Sequence, residues 1–275
     1  MEVAINKNGN NKLAKKSDVS LSTAIESIEG IFFDREMKPF EVPLWMESLV
    51  GIDWALLHIS PLYYGFGVQQ GDGSPVILVP GFLANDFYLY DMYFWLKRIG
   101  YTPYLSNIGW NADCLNVLVN KLADTINKAH EETGKKVHLI GHSLGGVLSR
   151  GAAAQHLDSV ASVITMGSPF RGVKSHPFLL EMAEKIRRRI FTKNDDHHPP
   201  YCYTGYCDCV AVSDMQKVLP ETIKKTAIYS KMDGVVHWET CIYRDERKNF
   251  EVSGTHIGMA FNYQVYKLIA ERLKN

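Results

Sequence analysis

From residue 75 onward the apolar positions alternate between short continuous runs and longer stretches with helical spacing. PVILV at 75–79 is unbroken and rich in β-branched residues, which predicts a strand buried on both faces, and 84–100 then reads as a helix. A weaker strand follows at 101–106. Leu115, Leu118, Val119, Leu122 and Ile126 form a helical stripe over 116–132, stopped by Gly134. Further strands are predicted at 137–142, 160–166, 226–230 and 249–252, with helices at 144–156 and 258–273. The resulting fold class is α/β: a mostly parallel central sheet with helices on both faces.

The remainder of the chain divides around that core. Residues 1–42 read as a tail and lead-in; 1–20 is rich in Asn and Lys and lacks the apolar run of a secretory signal. Residues 43–74 form an N-terminal helical segment. Its most apolar part, 43–65, is interrupted by Glu47, Asp53 and His58, so a peripheral or core-docked helix is expected rather than a membrane span. The glycine-rich 65–75 stretch marks where the main domain, 75–275, begins.

Composition narrows the function classes. Thirty basic and thirty acidic side chains in 275 residues balance to zero, so no bulk basic field argues for nucleic-acid binding by phosphate neutralisation. Five cysteines are too few, and odd in number, for a disulfide-built scaffold; a reducing, cytoplasmic setting is expected.

Reactive groups in such sheets collect at the carboxyl ends of strands. There GHSLG at 141–145 follows one predicted strand and precedes a helix, the context of a nucleophile elbow. Glycines flank Ser143 because side chains there would strike the strand and helix that approach the turn. A serine hydroxyl needs a base, and the base needs a partner that fixes its tautomer. The chain order Ser, acid, His selects Asp233, on a strand-end turn before Gly234, and His256, at the start of the last helix. His138 lies inside a strand, His142 is adjacent to the serine, and His237 follows Asp233 too closely; Asp245 and Glu239 are weaker substitutes for the acid. The oxyanion donors are expected to be the backbone N–H groups of Leu144, after the nucleophile, and Phe82, in the VPGFL loop at 79–83.

VPGFL at 79–83, VHLIGHSLGG at 137–146, MGSPFRG at 166–172, SKMDGVV at 230–236 and GTHIGM at 254–259 together resemble an α/β-hydrolase of the bacterial lipase and esterase type. The resemblance spans 75–275 and implies Ser143 as nucleophile, Asp233 as acid, His256 as base, and Phe82 and Leu144 as oxyanion donors. Pro80 stands where many relatives carry His. The first two strands of the full family sheet are not evident before residue 75, so a sheet shortened to about six strands is expected.

An insertion at about 170–220 is longer than a connecting loop. Leu179, Met182, Ala183, Ile186 and Ile190 recur in it at helical spacing. The resemblance makes this the place of a cap, with Leu179, Met182 and Ile186 lining an acyl pocket; an ordinary helix docked on the core has the same pattern. His197, His198, Cys202, Cys207 and Cys209, with Cys241, could hold zinc, or the cysteines could form a cystine or remain thiols, and the spacing matches no familiar metal site. The chemistry itself requires neither metal nor organic cofactor. The expected function is a serine hydrolase of carboxylic esters acting on a small-molecule ester or lipid, with no nucleic-acid partner, no transmembrane segment and room for peripheral membrane contact. Acyl transfer, thioester hydrolysis and a non-catalytic binding role stay open, as do the oligomeric state and the acyl length.

Overall fold

The computed structural model describes residues 42–172, 174–193 and 209–274. The expected lead-in, apart from Val42, and the His197, His198, Cys202 and Cys207 positions lie outside these residues. Six parallel strands make one sheet: β1 (Pro75–Val79), β2 (Thr102–Leu105), β3 (Val137–His142), β4 (Val160–Met166), β5 (Lys224–Tyr229) and β6 (Asn249–Glu251). Their order is β2-β1-β3-β4-β5-β6. The shortened sheet is therefore correct.

Seven α-helices are present among the described residues: α1 (Val50–Ile59), α2 (Tyr90–Arg98), α3 (Leu115–Thr133), α4 (Leu144–Gln155), α5 (Pro177–Lys193), α6 (Val210–Gln216) and α7 (Tyr263–Lys274). Side chains alternate across each strand, so the two faces acquire separate cores. Ile77, Val79, Leu139 and Val163 pack with Leu118, Leu122 and Ile126 of α3 and Leu148 of α4. Val76, Leu78, Ile140, Ile164 and Ile228 pack with Trp95 of α2, Tyr266 and Ile269 of α7, and Leu57 of α1. The inner strands β1, β3 and β4 thus bury both faces, the reason their sequences read as nearly continuous apolar runs, whereas the edge strands β2 and β6 are partly exposed.

The predicted elements differ from the observed ones mainly at polar caps. The helix expected over 84–100 begins as a 3-10 turn, Asp86–Leu89, whose N-cap Asn85 accepts the Phe87 N–H, and becomes α-helical at Tyr90. The last helix is split: Ile257–Phe261 is a 3-10 turn, and Asn262 leaves helical geometry to accept the Gln264 N–H at the start of α7. Gly134 ends α3 in the left-handed conformation, φ 65°, as expected. Short α6, within the insertion, was not anticipated.

The N-terminal segment docks through its interrupting polar residues. Asp91 of α2 accepts from Trp54 Nε1 at 3.2 Å and Tyr63 Oη at 2.8 Å, with His58 Nε2 3.3 Å away. The chain leaves β1 toward β2 on one side and reaches β3 on the other. The crevice beyond the carboxyl ends of β1 and β3 is the topological switch point, where open sheets place their ligands.

Candidate active site

Ser143 joins β3 to α4 with φ 52° and ψ −126°, a conformation rare for a residue with a side chain. Its N–H donates to Met166 O at 2.8 Å, tying the turn to the end of β4. The glycines around it are sterically required. A Cβ on Gly145 would collide with the carbonyl oxygen of Val79 and lie 2.5 Å from that of Pro80. One on Gly141 would strike the backbone of Gly146. The end of β1 passes directly against the elbow, which only bare backbone permits.

The candidate acid and base, Asp233 and His256, come from the turns after β5 and β6. Asp233 Oδ2 and His256 Nδ1 are 2.6 Å apart, both side chains buried. The carboxylate cannot donate, so Nδ1 carries the proton and Nε2 is left as the basic nitrogen. Asp233 Oδ1 accepts the N–H groups of Val235 at 2.9 Å and Val236 at 2.7 Å, which holds the carboxylate in orientation. Gly167, after β4, leaves the pair its space: a Cβ there would sit 3.0 Å from His256 Nδ1 and 3.2 Å from Asp233 Oδ2. Burial pulls the His256 pKa down, but the charge and hydrogen bond of Asp233, with the charge of Glu47, outweigh it and leave it raised above 6.5.

His142 links this pair to the elbow. Its ring centroid is 4.7 Å from that of His256, and its Nε2–H donates to the His256 carbonyl at 2.9 Å. Burial, then repulsion from His256, lowers the His142 pKa to about 3, so it is neutral. No hydrogen bond joins Ser143 Oγ to His256 among the described residues; the contact with His256 is made by His142, the residue before Ser143. Such bonds are often long in the absence of substrate and tighten when it binds.

The other candidates are placed elsewhere. His138 Nδ1 lies 2.7 Å from Ser162 Oγ, and burial lowers its pKa to about 4. His237 is buried with Nδ1 3.9 Å from Glu239, and Asp245 pairs with Arg247 at 2.9 Å. Leu144 is the first residue of α4, so its N–H belongs to the unfilled end of a helix. Phe82 follows Gly81, whose Cα side faces the elbow so closely that a Cβ would lie 3.1 Å from Ser143 Cβ. Asn111 pins this loop, donating to Pro80 O at 2.8 Å and accepting the Leu83 N–H at 3.0 Å.

In the insertion, Leu179 packs against Val235, Val236 and Cys241, while Ile186 packs against the α3/α4 core. Met182 is half-buried. Burial and the nearby Asp233 charge push the Cys241 thiol up. Among the described residues no group of three His, Cys, Asp or Glu could hold a metal.

Two residues at the site were missed by sequence reasoning. Tyr88 donates its hydroxyl to Ile257 O at 2.7 Å and sets its ring 5.3 Å from His142. Glu47 is buried and accepts the N–H groups of Gly234, His256 and Ile257. Its signal was present, an acidic residue inside an apolar stretch: a charge buried there must find partners.

Fold and site define an α/β-hydrolase of the lipase and esterase type. Residues 75–235 match the palmitoyl protein thioesterase family, and the chain belongs to it. A triacylglycerol lipase of Burkholderia plantarii is 35% identical over 143 residues, 49% of this chain and 40% of that protein. One of Pseudarthrobacter phenanthrenivorans is 35% identical over 117 residues, 39% of this chain and 37% of that protein. The matched regions span about two fifths of the length of these curated relatives. Among solved structures, a metagenome-derived lipolytic enzyme superposes with a TM-score of 0.52 at 17% identity, covering 75% of this chain and 94% of that one. The metagenomic carboxyl esterase MGS0156 gives 0.52 at 14% identity, covering 82% and 90%. These likenesses establish the fold.

Proposed function

We propose that the protein is a serine hydrolase that cleaves carboxylic esters through an acyl-enzyme on Ser143. The observation that carries this reading is the 2.6 Å bond between Asp233 and His256, held beside an elbow whose serine occupies a strained backbone conformation. Ser143 Oγ attacks the ester carbonyl while His256 Nε2 takes its proton, and Asp233 stabilises the imidazolium. Charge developing on the carbonyl oxygen falls on the N–H groups of Phe82 and Leu144, aided by the positive end of α4. The alcohol leaves with the proton from His256, and water repeats the sequence to release the acid.

A thioester substrate is the second reading, favoured by the family match; the thiolate leaves in place of the alcohol and the residues keep their roles. Acyl transfer to an alcohol also uses this machinery and is recognised by the product formed when an alcohol competes with water. The acyl chain is assigned to the α5 face that carries Leu179, Met182 and Ile186. Exposed Trp45, Ile52, Trp54 and Ile59 on the N-terminal segment support peripheral contact with a lipid surface. No helix among the described residues is long and apolar enough to cross a membrane. The cysteine count supports a reducing, cytoplasmic setting.

The test is a chain-length series of p-nitrophenyl esters alongside acyl thioesters, with fluorophosphonate labelling of wild type and Ser143→Ala. Wild type is expected to label and turn over, and Ser143→Ala to lose labelling and at least roughly 10³-fold in kcat. A wild type that neither labels nor hydrolyses any member of either series would overturn the reading.

A further inference from the structure

We infer that Glu47, from the N-terminal segment, is a positioning residue that clamps the acid turn and the base turn together beneath the catalytic pair. This inference rests on the reading of Asp233 and His256 as acid and base, and concerns a residue that touches neither substrate nor the reacting atoms.

Glu47 lies in the 3-10 turn Leu44–Leu49 and reaches across the molecule with both carboxylate oxygens occupied. Oε1 accepts the Gly234 N–H at 2.9 Å and the His256 N–H at 3.1 Å; Oε2 accepts the Ile257 N–H at 2.8 Å. Gly234 is next to Asp233, so one buried anion holds the backbone of both turns. Three N–H donors on a carboxylate form charge-assisted bonds that neither turn could supply for itself, since each arrives from a different strand. A Cβ at Gly234 would stand 3.0 Å from Oε1, so the glycine keeps this approach open.

The clamp completes the restraint of His256. Its N–H is held by Glu47, its carbonyl by His142, and its imidazole by Asp233. Asp53 of α1 reinforces the same turn: its carboxylate sits where a side chain on Gly258 would go, and Asn262 Nδ2 is 3.5 Å away. Besides fixing geometry, the Glu47 charge favours the imidazolium that forms during catalysis. The other titratable groups around His256 are Asp233, neutral His142, Tyr88 bonded to Ile257 O, and Asp53 beneath Gly258. Of these only Asp233 and Glu47 raise its pKa.

The test compares Glu47→Gln and Glu47→Asp with wild type in kcat, KM, the pH dependence of kcat/KM, and the His256 titration followed by NMR. Gln has one acceptor oxygen and places an amide donor against a donor. Glu47→Gln is expected to lower kcat about 10-fold or more with KM within about 2-fold, and to move the acid limb and the His256 titration to lower pH. Glu47→Asp keeps the charge and is expected to hold the titration near its wild-type position while recovering part of kcat. Wild-type kcat and an unmoved His256 titration in Glu47→Gln would overturn the proposal. If Glu47→Gln fails to fold, Glu47→Asp decides alone: reduced kcat at unchanged KM supports the clamp, and full activity overturns it. The NMR titration reads the Glu47–His256 coupling without turnover. It therefore separates failure of this inference from failure of the hydrolase reading, which Ser143 labelling tests independently.

Discussion

Ser143 occupies a backbone conformation that costs on the order of 1–3 kcal/mol and is paid for by the surrounding packing. The neighbouring residues then set its chemistry. His142 is neutral because burial dominates, while His256, equally enclosed, is raised because two carboxylates face it. In the proposed mechanism His256 must be neutral to accept a proton. With its pKa raised, His256 remains protonated to higher pH, so kcat/KM is expected to fall as pH drops through a midpoint above 6.5, read from the acid limb of the pH profile. Asp233→Asn removes the larger of the two favourable charges. It should cut kcat by roughly 10³–10⁴-fold and shift that limb to lower pH; a limb that stays in place would assign it to another group.

At the scale of elements, the elbow works because β1, β3 and α4 approach more closely than side chains allow. Gly145→Ala would drive a methyl group into the carbonyl oxygens of Val79 and Pro80, both fixed in or beside a buried strand. The expected cost is about 3 kcal/mol, a fall of roughly 6–12 °C in the thermal midpoint, with loss of fluorophosphonate labelling. Calorimetry and labelling together check it. Helix α5 supplies a second prediction. Leu179 packs beside Val235 and Val236, two and three residues beyond Asp233, whereas Ile186 faces the general core. Leu179→Asn is expected to shift the preferred acyl length in the ester series, and Ile186→Asn to lower thermal stability as well. An unchanged length profile in both variants would leave α5 as a packing helix only.

At the scale of the whole molecule, the strands and the catalytic candidates were legible in the chain because they depend on local patterns. PVILV is apolar throughout because both its faces are covered, and GHSLG carries its glycines because the turn excludes side chains. The helix over 84–100 was misjudged at its start because Asn85 and Leu89 break the geometry without breaking the apolar period. The N-terminal segment reads from sequence as a peripheral or core-docked helix, in which Glu47 and Asp53 are only interruptions of an apolar stretch. Their partners lie about two hundred positions away, on turns brought near only by folding.

The linear chain by itself determined the period of each element, the steric demands of the elbow, and an order of serine, acid and histidine compatible with one mechanism. Those follow from interactions among neighbouring residues. Only the tertiary structure decided that Asp233 meets His256, that neutral His142 lies against the His256 ring, and that a carboxylate from the N-terminal segment binds the turns carrying Asp233 and His256. Such choices rest on distances and burial between remote segments, and a buried charge acquires its role from the donors that folding gathers around it.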